Sequence, residues 1–478
     1  MKSCRILSFF FLLSLLQFQL GAKETYLKKT PPQPRSGFDC LLTGIRESRK
    51  ISPAREASDT VMVRRLYIDL CGRVPTGKET LDYLHTPQAD KQARLVEKLL
   101  KSEEFAMFWA MRFGDELRIK SEFPINLWPN GTFAYTKVIY DFLRNNTPYH
   151  EFARSILLAQ GSNFRNGYVN FFRAVPQKDT ENIANAVTLF FAGKPLNKTD
   201  QKFADNIRQI FSELRFKSTR EWKEEIVYLD NPLFDNRQAF YEILLDPQCS
   251  FFTETVVRRT WRWLFGNIPP EQEIVTYLAA TFRMSNYDLR KLVRDICTST
   301  AYRSGSIPAD KNYTAAAAAG AVYPARRLDA EVLADSIAQI TGSPYTYSSV
   351  IPEPFSYFHS RAAALTDGSV TDQFLILFGR PSRDSGLPEE RKSVINADQR
   401  MFLFNSGGLH NKLNNLLRNR INREKDPLAT LTMLFYSRRP TDAERNEFNT
   451  LSKKYGRHKV TASLAWVFMN SKEFLYQH

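Results

Sequence analysis

Residues 326–342 read RRLDAEVLADSIAQITG, and a single helix accounts for almost every position. Asp329 is placed to cap the first turn, with Leu328 and Leu333 as an apolar staple across it. Val332, Leu333, Ile337 and Ile340 recur at spacings of three and four, which puts them on one face of a 3.6-residue period. Gly342 supplies the left-handed residue on which helices end. The same grammar extends outward in both directions. In YDLRKLVRDICTSTAYR (287–303), Leu289, Leu292, Val293 and Ile296 share a face, and in DKQARLVEKLLKSEEF (90–105) so do Leu95, Val96, Leu99 and Leu100. Ser102 then caps a helix whose Phe105, Phe108, Trp109 and Phe113 form an apolar stripe aimed at a core. Thr76-Gly77-Lys78-Glu79 is a capping box behind Pro75, and Thr147-Pro148 starts a further helix that Gly161 is positioned to stop. No long series of alternating β-branched residues occurs, and EEIVYLD (224–230) is the best short strand. The fold class is mainly α, with at most a few short strands.

A chain of 478 residues is too long for one ordinary core, so two helical domains are expected. Asp230-Asn231-Pro232 breaks the helical pattern and divides the chain into 38–230 and 231–478, because the residue before a proline is pushed out of the α region. Residues 1–22 carry Lys2 and Arg5, then ILSFFFLLSLLQFQL, then Gly-Ala, with no acidic residue. That order is the pattern of a cleaved export signal, and the apolar run is short for a membrane span. Export to the periplasm or beyond, with no transmembrane anchor after cleavage, is the expectation. Residues 23–37 are Pro-rich and polar and read as a linker. Losing the two cations of the signal lowers the formal charge from +15 to +13. Such an excess favours polyanions or anionic surfaces, but the cations are interleaved with acids. Outside the cytoplasm, nucleic acid is not the expected partner; an acidic or sulfated glycan, or a separate secreted protein, is.

Four cysteines follow the signal (Cys40, Cys71, Cys249 and Cys297), and the six histidines are scattered. No CxxC, CxxCH, HxxxH or HExxH spacing occurs, so no metal site and no cofactor are expected. An oxidising compartment permits disulfides among the four, while buried thiols are equally compatible with a chain of this size.

One internal echo stands out. RVPTGKE (73–79) recurs in form as RRPTDAE (438–444), and LLKSEEF (99–105) as FMNSKEF (468–474). Each pair supplies an arginine, a proline, a Thr-x-x-Glu capping box and, later, a Ser cap.

Three places carry the chemistry of a site. LFGRPSRDSG (377–386) holds Arg380, Arg383 and Asp384 in a Gly/Pro turn. Two guanidiniums there are able to grip a carboxylate, sulfate or phosphate with Asp384 orienting one of them; the plainer reading is a tied structural corner. SEFPINLWPNGTFAY (121–135) and GSNFRNGYVNFFRA (161–174) contribute Trp128, Asn130, Asn163 and Arg165, an indole and polar groups suited to stacking on and hydrogen-bonding a sugar. STREWKEEIVYLDNP (218–232) gathers Glu221, Glu224, Glu225 and Asp230, which between Arg220 and Lys223 reads as a solvated, salt-bridged face rather than a hydrolase pair.

VRRLYIDLCGRVPTGKETLDYL followed by LVEKLLKSEEFAMFWAMRFGDELR resembles the first domain of secreted proteins abundant in planctomycetes and related bacteria. VVRRTWRWLFG, YPARRLDAEVLADSIAQITG, LFGRPSRDSG, RRPTDAERNEF and NSKEFL resemble its usual companion. Both are domains of unknown function, often joined to a cytochrome c domain. The resemblance implies export, a helical two-domain body, and neighbours in electron transfer or polysaccharide processing. The chain lacks the haem domain and the Cys- and His-rich segment many first domains carry, ANAVTLFFAGKPLNKTD (184–200) standing near that place. An accessory or binding protein of an envelope or polysaccharide-handling system is therefore the expected function. A glycan hydrolase built from carboxylates that folding brings together, and an electron-transfer accessory docking on a separate cytochrome, are its alternatives.

Overall fold

The computed structural model describes residues 26–309, 311–348, 361–392 and 394–478. The expected export signal lies outside them.

Helices carry the architecture, from Gly37–Ser48 to Arg457–Met469. The Ala330–Thr341 helix forms as its periodicity demands and ends on Gly342 at φ 63°. Its Asp329 makes no side-chain cap; the carboxylate turns instead to Arg112, 3.0 Å away. The helix opened by Thr147-Pro148 runs over Tyr149–Leu157 and stops four residues short of Gly161. Gly161, at φ 105°, begins strand β1 (Gly161–Ser162). With β2 (Leu214–Ser218) and β3 (Glu225–Leu229) it makes a small antiparallel sheet in the order β1-β3-β2, Val227 facing both Gly161 and Phe216. The other sheet is a two-residue pair, Arg326–Arg327 against Tyr476–Gln477.

The Pro-rich stretch, over residues 26–36, is no free linker but a strap on the body. Lys28 N–H bonds Glu56 O at 2.7 Å, Ser58 N–H bonds Tyr26 O at 2.8 Å, and Arg303 donates to Gln33 O. Leu27 fills the space beside Gly305, where a Cβ would collide with it.

The Asp59–Cys71 helix is the axis of the molecule, buried at every position from Val61 to Cys71, charged ones included. A buried guanidinium costs several kcal/mol unless its donors are met, and here residues of the other half meet three of them, both terminal nitrogens of Arg64 and one of Arg65. Arg64 donates to the carbonyls of Phe435 (2.8 Å) and Phe474 (2.9 Å). Arg65 donates to those of Tyr302 and Ser304 and lies 3.6 Å over the Tyr323 ring. Asp69 accepts from the Tyr302 hydroxyl at 2.7 Å, the Tyr323 hydroxyl at 3.1 Å, and Arg326. The two domains of the sequence thus meet over one continuous apolar core, running from Phe38 to Leu475.

The echoed segments adopt the same arrangement atom for atom. Arg73 forks onto Glu79 (2.8 and 2.8 Å) and Glu104 (2.8 and 2.9 Å), and Arg438 onto Glu444 (2.8 and 2.7 Å) and Glu473 (2.7 and 2.9 Å). Thr76 and Thr441 close capping boxes with those same glutamates, Glu79 and Glu444. Before each arginine stands a left-handed residue, Gly72 at φ 67° and Ser437 at φ 58°. Ser102 and Ser471 cap the N–H groups of Phe105 and Phe474. A third unit, not evident from the sequence echo, has the same skeleton. Helix Phe251–Phe265 ends on Gly266 (φ 83°), two helices follow, and Ser299 caps Tyr302. Asn267 stands where the others have arginine and Ala301 where they have Glu104 and Glu473, so the clamp's cation and one of its anions are both missing.

Candidate functional site

The segment leading out of the Glu103–Glu116 helix is held on one side and strained on the other. On the held side it meets the LFGRPSRDSG corner. Arg383, fully buried at φ 63°, donates to Asp115 (2.9 Å) and to the carbonyls of Met111 (3.1 Å), Ile119 (3.3 Å) and Thr366. Arg380 is also buried and donates to the carbonyls of Leu365 (3.0 Å), Asp367 (2.9 Å) and Val370. Asp384 orients neither guanidinium; it accepts from Lys120 at 2.6 Å, because both arginines have turned inward to backbone carbonyls. Gly368 N–H on Ile119 O (2.8 Å) and Ser121 N–H on Asp367 (3.0 Å) complete the tie. Beyond it the chain passes through left-handed Asn126 (φ 55°) and Trp128 (φ 61°), a conformation that costs a non-glycine residue about 1–3 kcal/mol. Pro129 then starts the Trp128–Asn145 helix. The Trp128 indole meets Trp222, in the turn between β2 and β3 of the small sheet.

Between that indole and the sheet lies a cleft of about 490 Å³ whose walls include Asn126, Trp128, Arg173, Lys178, Glu224 and Glu225. Trp222, 70% exposed, meets Trp128 edge-on, ring centroids 4.7 Å apart at 62°. Lys223, itself left-handed at φ 62°, holds its ammonium 4.8 Å from the Trp128 ring and 5.7 Å from that of Trp222, an attractive geometry. Phe123, 79% exposed, stands close by in sequence.

The floor is charged and ordered. Glu225 pairs with Arg173 and with Lys178, both at 2.8 Å. Of the four carboxylates of 218–232 read as a solvated, salt-bridged face, Glu221 and Asp230 are exposed and paired with Arg165 and Arg215, whereas Glu224 is buried, which corrects the reading at that one residue. It accepts from Ser162 and, at 2.7 Å, from Thr219, and these hydrogen bonds hold its carboxyl below the usual carboxylate range. Burial lowers both the Arg173 guanidinium and the Lys178 ammonium from their ordinary values.

Of the residues singled out from sequence, Trp128 lines the cleft. Arg165 stands at its rim, 2.9 Å from Glu221 and 3.8 Å from Glu224. Asn163 is buried beneath it, accepting from Glu225 N–H at 2.9 Å, its amide nitrogen without a partner among the described residues. Asn130 is exposed on the first turn of the helix and does not line the cleft. Arg380, Arg383 and Asp384 lie outside it, behind the segment that carries Trp128. Sequence reasoning missed Trp222, Lys223, Arg173 and Lys178. The signal available was a tryptophan inside a charge run, EWKEE, but its meeting with Trp128 depends on strand pairing. Among the described residues no group of three or more His, Cys, Asp or Glu is arranged to hold a metal, and the four cysteines are free.

Residues 38–217 match a family described as protein of unknown function (DUF1549), and residues 236–452 match a second so described (DUF1553). The chain belongs to this two-domain family. No curated protein and no solved structure matches it. Within the two-domain family's framework the cleft has a particular address. Trp128, Arg173 and Lys178 fall in the first matched domain, whereas Thr219, Trp222, Lys223, Glu224 and Glu225 fall in the stretch between the two matches.

Proposed function

We propose that the protein is an exported glycan-binding component of an envelope or polysaccharide-handling system and that the Trp128–Trp222 cleft receives the sugar. The observation that carries this reading is the pairing of two indoles, one of them largely exposed, over a floor of ordered carboxylates and cations. Aromatic rings cover the apolar faces of a pyranose, and oriented charged groups bond its hydroxyls. Arg165 and Lys223 around the opening favour a glycan bearing carboxylate or sulfate. Export rests on the basic, apolar and small-residue order of residues 1–22.

Binding is favoured over hydrolysis. A glycoside hydrolase needs one carboxyl kept protonated as general acid. Here Glu224 is held in its ionised form and Glu225 is paired with two cations.

The test is a titration of the mature protein with neutral, uronic and sulfated oligosaccharides, read by tryptophan fluorescence and calorimetry. Trp222→Ala, at a surface position, is expected to weaken binding by about 1–3 kcal/mol, on the scale of a lost aromatic stacking contact, and leave the melting temperature unchanged. Glycan cleavage abolished by Glu224→Gln would overturn the binding reading. Affinity unaltered by Trp222→Ala would remove the cleft from it.

A further inference from the structure

A second cavity, of about 250 Å³, opens on the other side of the Glu103–Glu116 helix, where four distant segments converge. Its walls carry Arg112, Arg262, Arg326, Arg327 and Arg391 against Asp115, Glu116 and Asp329, an excess of two cations. The groups bonded directly behind the walls do not cancel it. Arg259 and Arg383 add two cations, and Asp69 and Glu331 add two anions, so the excess of two stands.

Guanidinium cannot shed its proton in a protein, so this charge must be met by an anion or left in a poorly screened interior. The carboxylates present are already committed. Arg112 takes Asp329 (3.0 Å), Arg262 takes Glu116 (2.6 Å), and Arg391 takes Asp115 and Glu331 (2.7 Å each). The Nε–H groups of Arg112 and Arg326 are buried without a hydrogen-bond partner among the described residues. Asp329, although burial opposes its charge, is held down at about 2 by Arg391, Arg112 and Arg326. The open side of the cavity is the turn Gly266-Asn267-Ile268, the turn of the third unit that lacks the arginine clamp, with Tyr313 and Ala325 beside it.

We propose that this cavity is a binding site for a small dianionic oxyanion of the phosphate or sulfate class, held by the guanidiniums of Arg112, Arg262, Arg326 and Arg391. Forked donors in several planes suit tetrahedral oxygens, which offer more acceptors than a chloride or a single carboxylate. The site is separate from the tryptophan cleft and does not depend on its reading. The volume admits either a free oxyanion or one esterified to a single sugar ring.

Calorimetry and thermal melts of the full mature chain test this, with sodium phosphate, sodium sulfate, and a monosaccharide phosphate and sulfate, each against sodium chloride at equal ionic strength. Saturable binding and a rise in melting temperature beyond the chloride control are expected. Tighter binding of the sugar esters identifies an ester as the natural form, and tighter binding of the inorganic ions a free oxyanion. Ala325→Glu puts a carboxylate at the exposed rim and is expected to weaken oxyanion binding at least about tenfold. It should also raise the melting temperature of the unliganded protein, by supplying the missing negative charge. Asn267→Asp, at another exposed wall position, should do the same and serves if Ala325→Glu does not fold. A melting response equal in chloride, or both variants binding oxyanion like the parent, would overturn the proposal.

Discussion

Arg73 and Arg438 each hold two glutamates in a planar, doubly forked clamp, and at this scale the protein's stability depends on pairs rather than on single groups. Removing one partner of a buried pair leaves an uncompensated charge, which typically costs about 3–5 kcal/mol. Arg438→Ala, 4% exposed in the native side chain, is expected to lose that much in urea denaturation. The double variant Glu444→Gln/Glu473→Gln should lose less when added to it than alone. Glu79 shows the pH side of the same pairing. Burial raises it, but the hydrogen bonds of Arg73 and Thr76 bring it down to about 2, against about 4.3 in an unfolded chain. Its folded value is depressed, so its contribution is present above about pH 4.3 and is lost as pH falls toward 2. Asp335 has the opposite sign. Burial lifts it to about 6 despite Arg361 and the N–H groups of Ala362 and Ala363, so its contribution is full at low pH and declines as pH rises through 6. Urea titrations at pH 2, 4, 6 and 8 should show Glu79→Gln flattening the acid limb and Asp335→Asn flattening the stretch between pH 4 and 6.

Helix termini show where local sequence is sufficient and where it is not. Capping boxes, Ser caps and the stop at Gly342 were legible because each is settled within four or five residues. The stop at Leu157 was not, since Gly161 is claimed by pairing with Val227, sixty-six positions away along the chain. The central helix was hidden for a related reason: VRRLYIDLC looks half solvent-facing until Phe435, Phe474, Tyr302 and Ser304 supply acceptors for its arginines. The cleft was half legible. Trp128 and Arg165 could be picked out by residue type, but only a strand pairing shows that Trp222 and Lys223 face them. The left-handed residue that ends the first helix of each clamp-bearing unit gives a prediction at this scale. Gly72 fits it freely, whereas Ser437 is a non-glycine at φ 58°, buried, with a hydroxyl that has no partner among the described residues. Ser437→Gly should relieve about 1–2 kcal/mol of backbone strain, partly offset by glycine's unfolded-state entropy. A net gain of about 1 kcal/mol is expected in thermal or urea denaturation. Gly72→Ala should do the reverse, because its Cβ would sit 2.6 Å from the Phe108 ring.

For the whole molecule, the decisive fact is that the axial helix belongs to the first domain while its hydrogen-bond acceptors belong to the second. The two domains recognised in sequence should therefore unfold together. Calorimetry is expected to show one transition, and residues 26–230 or 231–478 expressed alone should expose apolar surface and aggregate; two resolved transitions would contradict this. No helix of the described residues is long and apolar enough to cross a membrane. The way Arg64 and Arg65 reach across the common interior bears on how such a protein changes over generations. They bond main-chain oxygens of the second and third units, and a main-chain oxygen is present whatever side chain is attached. Those units are free to exchange residues as long as the peptide groups stay where they are. Likeness between the three units can therefore be faint in the letters of the sequence and plain in the path of the backbone.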